Sequence, residues 1–289
     1  MDPMLADVLQ VLQLEKLELN LFRGESRDPG HHRVFGGQVL GQALAAAYAT
    51  VEKRLVHSLH GYFLRAGDPD HPIIYEVDRS RDGTSFTSRR VVAIQHGEQI
   101  FHMSASFQVP EAAIDRQGDM PAAPDPETLP DLEQVFEQMI DRGPGQPQPI
   151  LLDQKRPFEF RPAAAPDPSG ELSKEPHMKI WFRALDRLPD DDILHRSLLA
   201  YASDYYLLGV ATLDQRLAHD RQTLQMASID HAMWFHRPAR VDEWLLYVID
   251  SPTATSSRGF ALGSIYSRDG RLVASTAQEG LVRRREARV

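Results

Sequence analysis

Ile73-Ile74-Tyr75-Glu76-Val77-Asp78 is echoed 172 positions later by Leu245-Leu246-Tyr247-Val248-Ile249-Asp250. The same offset carries Arg65 onto Arg237, Thr84-Ser85 onto Ser256-Ser257, and Ser104-Ala105 onto Thr276-Ala277, without a gap. Two unrelated strands of like alternation resemble one another to this degree by chance; the order of elements separates the two readings. Each half runs as a helix and then a series of strands, and this shared order favours duplication. A repeated unit of that kind has one economical solution: antiparallel strands that bury one face on one helix, an α+β unit made twice.

Along the chain, Leu5, Val8, Leu9, Val11 and Leu12 predict a first helix over residues 4–17. Gly24, Asp28, Pro29 and Gly30 interrupt it, and a helix of small residues follows over 34–48. Strands are expected at 62–64, 73–77, 84–94 and 99–108, with turns at Gly67-Asp68-Pro69, Arg81-Asp82-Gly83 and His96-Gly97. Residues 110–175 are rich in proline and read as a linker with one short helical patch at 132–140. A second helix is expected over 190–208, opened by Asp190-Asp191-Asp192 where the helix dipole favours anions, and strands again over 226–282. The expected division is an N-terminal unit over 1–115, a linker over 116–175 and a C-terminal unit over 176–289.

Composition narrows the function. Thirty-two Lys and Arg against 41 Asp and Glu give a net charge of −9, which argues against a nucleic-acid partner. No apolar run approaches the roughly 18 residues of a membrane span, and the N-terminus lacks the basic segment of a signal peptide. No membrane partner is expected, and a cytoplasmic location is the default. The absence of cysteine removes a thiolate nucleophile, disulfides and cysteine metal sites. There is no Gly-x-Ser-x-Gly elbow, no phosphate-loop signature and no His-Glu-x-x-His. No metal or redox cofactor is expected.

Four places carry possible chemistry. Gly36-Gly37 opens the small-residue helix, where glycine allows close packing and also leaves bare N–H groups for a carbonyl oxygen or phosphate. Asp204 lies in the apolar run Leu198-Leu199-Ala200-Tyr201-Ala202-Ser203-Asp204-Tyr205-Tyr206-Leu207-Leu208, so it is either a cap or a working carboxylate. Ser228 and Gln278 belong to strands of the same half. Alternation puts Thr276, Gln278 and Gly280 on one face and Ser275, Ala277 and Glu279 on the other, without saying which is inside. The 172-residue offset places Ser106 opposite Gln278, so the halves differ at that site.

The chain resembles the type II acyl-CoA thioesterases, a family of two fused hotdog domains. The carriers are Val34-Phe35-Gly36-Gly37-Gln38-Val39-Leu40-Gly41-Gln42-Ala43, His57-Ser58-Leu59-His60-Gly61-Tyr62-Phe63-Leu64-Arg65 and Tyr201-Ala202-Ser203-Asp204. Further carriers are Ile229-Asp230-His231-Ala232-Met233-Trp234-Phe235-His236-Arg237-Pro238, Asp242-Glu243-Trp244-Leu245-Leu246-Tyr247 and Leu272-Val273-Ala274-Ser275-Thr276-Ala277-Gln278-Glu279-Gly280. The resemblance implies a tandem double hotdog, each half an antiparallel sheet wrapped around a central helix. It implies hydrolysis of acyl-CoA to free fatty acid and CoA by a water held by Asp204, Ser228 and Gln278. The family often has threonine where Ser228 stands; the hydroxyl is kept and χ1 is freer.

A thioester carbonyl is already electrophilic, so an oriented water suffices and no covalent nucleophile is needed. The developing oxyanion needs N–H donors from backbone near a helix start, with the second-half helix around Asp204 preferred. Gly36 and Gly37 are then left to contact the acyl chain or CoA. Assembly as a homodimer or homotetramer is implied through sheet edges. Two other readings stay open: a hotdog enoyl-CoA hydratase or dehydratase, whose Asp–His pair has its nearest imitation in Asp230-His231, and a non-catalytic acyl-CoA-binding protein.

Overall fold

Every second side chain of Ile73–Val77 points inward: Ile73, Tyr75 and Val77 are buried while Glu76 and Asp78 are exposed. This period-two pattern recurs through a computed structural model that describes residues 1–28, 32–112, 114–132, 134, 156–163, 176–213 and 224–284. The first half comprises α1 (Pro3–Val11), β1 (Glu15–Glu18), β2 (Leu21–Gly24), α2 (Gly36–Tyr48), β3 (Leu55–Phe63), β4 (Ile73–Asp82), β5 (Phe86–Gln95) and β6 (Glu98–Gln108). The second comprises β7 (Phe158–Pro162), β8 (His177–Ala184), α3 (Asp192–Ser203), β9 (Leu224–Ser228), β10 (Asp230–Phe235), β11 (Leu245–Thr255), β12 (Arg258–Ser267) and β13 (Leu272–Arg284).

Among the described residues the thirteen strands form one antiparallel sheet in the order β1-β2-β4-β5-β6-β3-β10-β13-β12-β11-β8-β7, with β9 pairing β13. The order reads alike from both ends. Its centre is the β3–β10 pair, in register from Asp230 opposite Tyr62 to Trp234 opposite Ser58. Duplication is written into the irregularities as well. The β4–β5 ladder slips between Asp78 and Arg81, and the β11–β12 ladder slips between Asp250 and Thr253, each 172 residues on. Bulges are structural features of a fold, so a shared bulge at a shared offset is hard to obtain by chance. The double hotdog implied by the sequence is the fold of the chain.

The two helices meet inside this sheet. Nearly all of α2 is buried, and it packs against α3 and against β4, β5 and β6. Its small residues permit this: a β-carbon on Gly37 would run into the Tyr201 carbonyl of α3.

Three sequence expectations change. The first helix stops at Val11 rather than 17, because the Gln42 side chain donates to the Val11 carbonyl at 2.7 Å and the chain turns into β1. The second helix runs from Asp192, capped by the Asp191 carboxylate on the Ile193 and Leu194 amides, and stops at Ser203 rather than 208. Its last turn tightens, with Tyr205 N–H donating to the Ala202 carbonyl at 3.1 Å, and Tyr206 then takes a left-handed φ of 65°. Finally, the stretch read as linker contains strand β7, whose Phe158 and Phe160 are buried. Of the helical patch expected at 132–140, only residues 132 and 134 are among those described.

The proline-rich stretch also covers the outer face of the second half. Met120, Ala123 and Leu129 pack on Trp181, Trp244, Leu246 and Val248, while Trp181 Nε1 donates to the Pro124 carbonyl at 2.9 Å. This is why Leu245–Ile249 are buried on both faces whereas β4, their counterpart, alternates. Among the described residues no helix is long and apolar enough to cross a membrane.

Candidate active site

Gln278 is the hub of the site. It lies on β13, fully buried, and its amide nitrogen sits 2.8 Å from Asp204 Oδ1, 3.2 Å from Ser228 Oγ and 3.2 Å from His231 Nδ1. Two hydrogens thus face three acceptors. The Gln278 carbonyl oxygen is buried and has no hydrogen-bond partner among the described residues, which leaves an acceptor unused. Three elements deliver the predicted trio. Asp204 follows the last residue of α3, Ser228 ends β9 opposite Gly280, and Gln278 shares the inner face of β13 with Gly280.

Behind the trio lies a histidine that the sequence reading did not assign to the site. His231 is fully buried on β10, with Nε2 at 2.9 Å from Ser203 Oγ. Ser203 donates its own hydrogen to the Ala200 carbonyl at 2.8 Å, so the hydroxyl accepts from Nε2–H. Nδ1 is then the acceptor for Gln278, and the network assigns the tautomer. Burial pushes the imidazole pKa below its usual value against the pull of Asp204 and Asp230, which keeps the ring neutral. The signal was present in the pattern: at the 172-residue offset His231 replaces Leu59, a core leucine. Asp230 does not join it. Its carboxylate accepts from the Glu279 amide at 2.6 Å, and the carboxylate that lies near the ring is that of Asp204, whose Oδ1 is 3.9 Å from His231 Nδ1.

The second helix start of the molecule completes the site. Asp204 Oδ2 lies 2.7 Å from where a β-carbon on Gly36 would stand. Gly36 is the first residue of α2, with Phe35 as its cap and no side chain on the helix end; Gln38 and Val39 N–H groups both return to the Phe35 carbonyl. The first N–H groups of a helix have no intrahelical acceptor. The preference for the second-half helix as donor is therefore corrected: α3 ends at Asp204 and presents carbonyls there, while the helix start beside Asp204 belongs to the first half. Gly37 packs on the Tyr201 carbonyl, one turn from Asp204.

The pairing of Gln278 with Ser106 is also corrected. In the β5–β6 ladder Ser88 faces Ser106, whereas in β12–β13 Phe260, 172 residues on, faces Glu279. The β12–β13 turn is one residue longer, which slips the last strand by one and exchanges its faces. The counterpart of Gln278 is Ala105, and the counterparts of Ser228 and His231 are Val56 and Leu59, all buried. Ser106 points the other way, with its hydroxyl 2.8 Å from His57 Nε2. The first half thus holds an apolar version of the site.

Comparison with known proteins places the chain in a family. The family profile described as acyl-CoA thioesterase matches residues 151–281, and that described as acyl-CoA thioesterase N-terminal domain matches residues 25–108. Acyl-CoA thioesterase 2 of Haemophilus influenzae is 40% identical over 98% of this chain and 99% of its own. Human acyl-coenzyme A thioesterase 8 is 42% identical over 96% of this chain and 88% of its own. The crystal structure of acyl-CoA thioesterase II TesB2 from Mycobacterium marinum is 44% identical, covers 96% of this chain and 98% of its own, and superimposes with a TM-score of 0.79. The chain belongs to the acyl-CoA thioesterase family.

Proposed function

We propose that the protein hydrolyses acyl-CoA thioesters to free fatty acid and CoA, with a water held by Asp204, Ser228 and Gln278 as the nucleophile. The observation that carries this reading is the convergence of Asp204, Ser228 and His231 on the Gln278 amide, beside the Gly36 end of α2. Asp204 takes a proton from the water as its oxygen adds to the carbonyl carbon; Ser228 and the Gln278 amide fix the water's direction. The negative charge that develops on the carbonyl oxygen falls to the N–H groups of Gly36 and Gly37 and to the positive end of the α2 dipole. Collapse breaks the C–S bond, and the proton held by Asp204 passes to the departing thiolate. Such positioning and proton transfer are worth about 10²–10⁴-fold.

His231 is a positioning residue in this scheme. It occupies one hydrogen of the Gln278 amide from behind and leaves the other for Asp204. In the same reading residues 1–115 are the first hotdog unit and 176–289 the second, with 116–175 running between them and lending strand β7 to the second sheet, and the second unit carries the acid, alcohol and amide. Among the described residues the end strands β1 and β7 each pair on one side only. Open edges of this kind support assembly into a homodimer or homotetramer, and a cytoplasmic location is part of the same proposal.

The test is thiol release from a saturated long-chain acyl-CoA by the wild type and Asp204→Asn. Loss of about tenfold or more in turnover, with the fold kept, is expected. Unchanged turnover removes Asp204 from the mechanism, and no thiol release by the wild type removes the function.

A further inference from the structure

Asp68, His71 and His96 bring one carboxylate oxygen and two imidazole nitrogens within 4.8 Å of one another, on a surface that takes no part in the site above. Asp68 Oδ2 is the shared point, 2.8 Å from His71 Nδ1 and 3.0 Å from His96 Nε2. The three residues come from two segments: the turn after Gly67 and the two-residue turn His96-Gly97 between β5 and β6, both of whose residues have positive φ.

The backbone beneath them is built. The Gln95 side chain, nearly fully buried, accepts from the Asp68 amide at 2.8 Å and donates to the Asp68 and His71 carbonyls at 2.9 and 2.7 Å. The Asp70 amide holds Asp68 Oδ1 at 3.0 Å, and Ser26 Oγ donates to the His71 carbonyl at 2.6 Å. Both segments of the arrangement are thereby tied to one residue, while the imidazoles remain more than half exposed and meet edge to face with ring centroids 4.6 Å apart.

We propose that Asp68, His71 and His96 form a surface site for a borderline divalent transition-metal ion, of which Zn²⁺ is the probe. Two imidazoles and a carboxylate suit Zn²⁺, Ni²⁺ or Cu²⁺ rather than Mg²⁺ or Ca²⁺, which prefer all-oxygen shells. Bonds of about 2.0–2.2 Å at the tetrahedral angle set neighbouring ligand atoms about 3.3–3.6 Å apart, so the two Asp–His separations open by about 0.3–0.8 Å while the two exposed imidazoles adjust a separation that already lies within 4.8 Å. Three protein ligands leave further coordination positions facing water. An ion there staples the 68–71 turn to the β5–β6 hairpin. Gly67, the residue before this turn, accepts from the Val34 amide at 3.0 Å, so the stapled turn also abuts the segment that leads into α2.

Calorimetric titration of the tag-free full chain with zinc sulfate in a non-chelating buffer tests the site. One ion per chain with a micromolar dissociation constant is expected. His96→Ala should weaken binding by about tenfold or more, and His71→Ala/His96→Ala should abolish saturable binding. Each variant should keep wild-type thiol release, which certifies the fold. Zinc uptake by the double variant equal to that of the wild type, or no binding tighter than millimolar by the wild type, overturns the proposal.

Discussion

The Asp204 carboxylate stands where the side chain of Gly36 would begin: Oδ2 is 2.7 Å from the position of a β-carbon on that glycine. The acid comes from the C-terminal half and the helix start from the N-terminal half, so the site is assembled across the β3–β10 seam.

Gly36→Ala follows directly. A real β-carbon does not come that close to a carboxylate oxygen, so either Asp204 turns away or the α2 end withdraws. Turnover of acyl-CoA is expected to drop by about tenfold or more, with little change in melting temperature, because the displaced group is a side chain and not backbone. Steady-state thiol release beside thermal unfolding checks this, and wild-type kinetics would separate Gly36 from the reaction centre.

His231→Leu removes one of the three acceptors around the Gln278 amide and the donor to Ser203 Oγ, and puts an apolar side chain against both buried polar groups. A cost of about 1–3 kcal/mol in stability is expected, together with a fall in kcat at near-constant KM. His231→Asn retains an acceptor close to Nδ1 and should recover part of kcat. Equal kcat in the Leu and Asn variants would reduce His231 to a packing residue.

Acid should unfold the protein in part through this same ring. The folded-state pKa of His231 is depressed by burial, so below about 6.5 the unfolded chain takes up a proton that the native chain refuses. Stability therefore falls as pH drops through that window and is regained as pH rises. His57, His195 and His236, also depressed by burial, act in the same direction. Urea midpoints at about pH 7.5 and about pH 5.5 should differ, and the difference should shrink in His231→Asn. Identical pH slopes in wild type and variant would contradict a buried neutral His231.

Ser106→Ala should leave hydrolysis unchanged, since its hydroxyl is turned toward His57 on the face away from α2. Thiol release by this variant at a tenth of the wild-type rate would mean that the first half has working chemistry of its own.

Much of this was legible in residues 73–108 and 245–282, where period-two burial and a constant offset carry the strands. Asp204 and Ser228 both lie within hydrogen-bond distance of the Gln278 amide. What escaped did so for physical reasons. A one-residue difference in a turn changes no composition yet exchanges the two faces of β13, which moved the counterpart of Gln278 from Ser106 to Ala105. Strands β1 and β7 are four and five residues long and lack a repeated pattern. His231 stood beside Asp230 in the chain, and adjacency on a strand means opposite faces. The end of α1 depends on a side-chain bond from Gln42, thirty-one residues away.

The mirror-image strand order has a mechanistic cost. In the mechanism proposed above the acid and the helix amides arrive from opposite sides of the seam, so neither repeat freed from the other would inherit a whole reaction centre. A fragment ending before β7 would keep the electropositive helix tip with nothing to deprotonate water, and the remainder would keep the proton acceptor with no cradle for the anion. On that mechanism the apolar first half, with Val56, Leu59 and Ala105 where its sibling has Ser228, His231 and Gln278, would serve the reaction only through its helix.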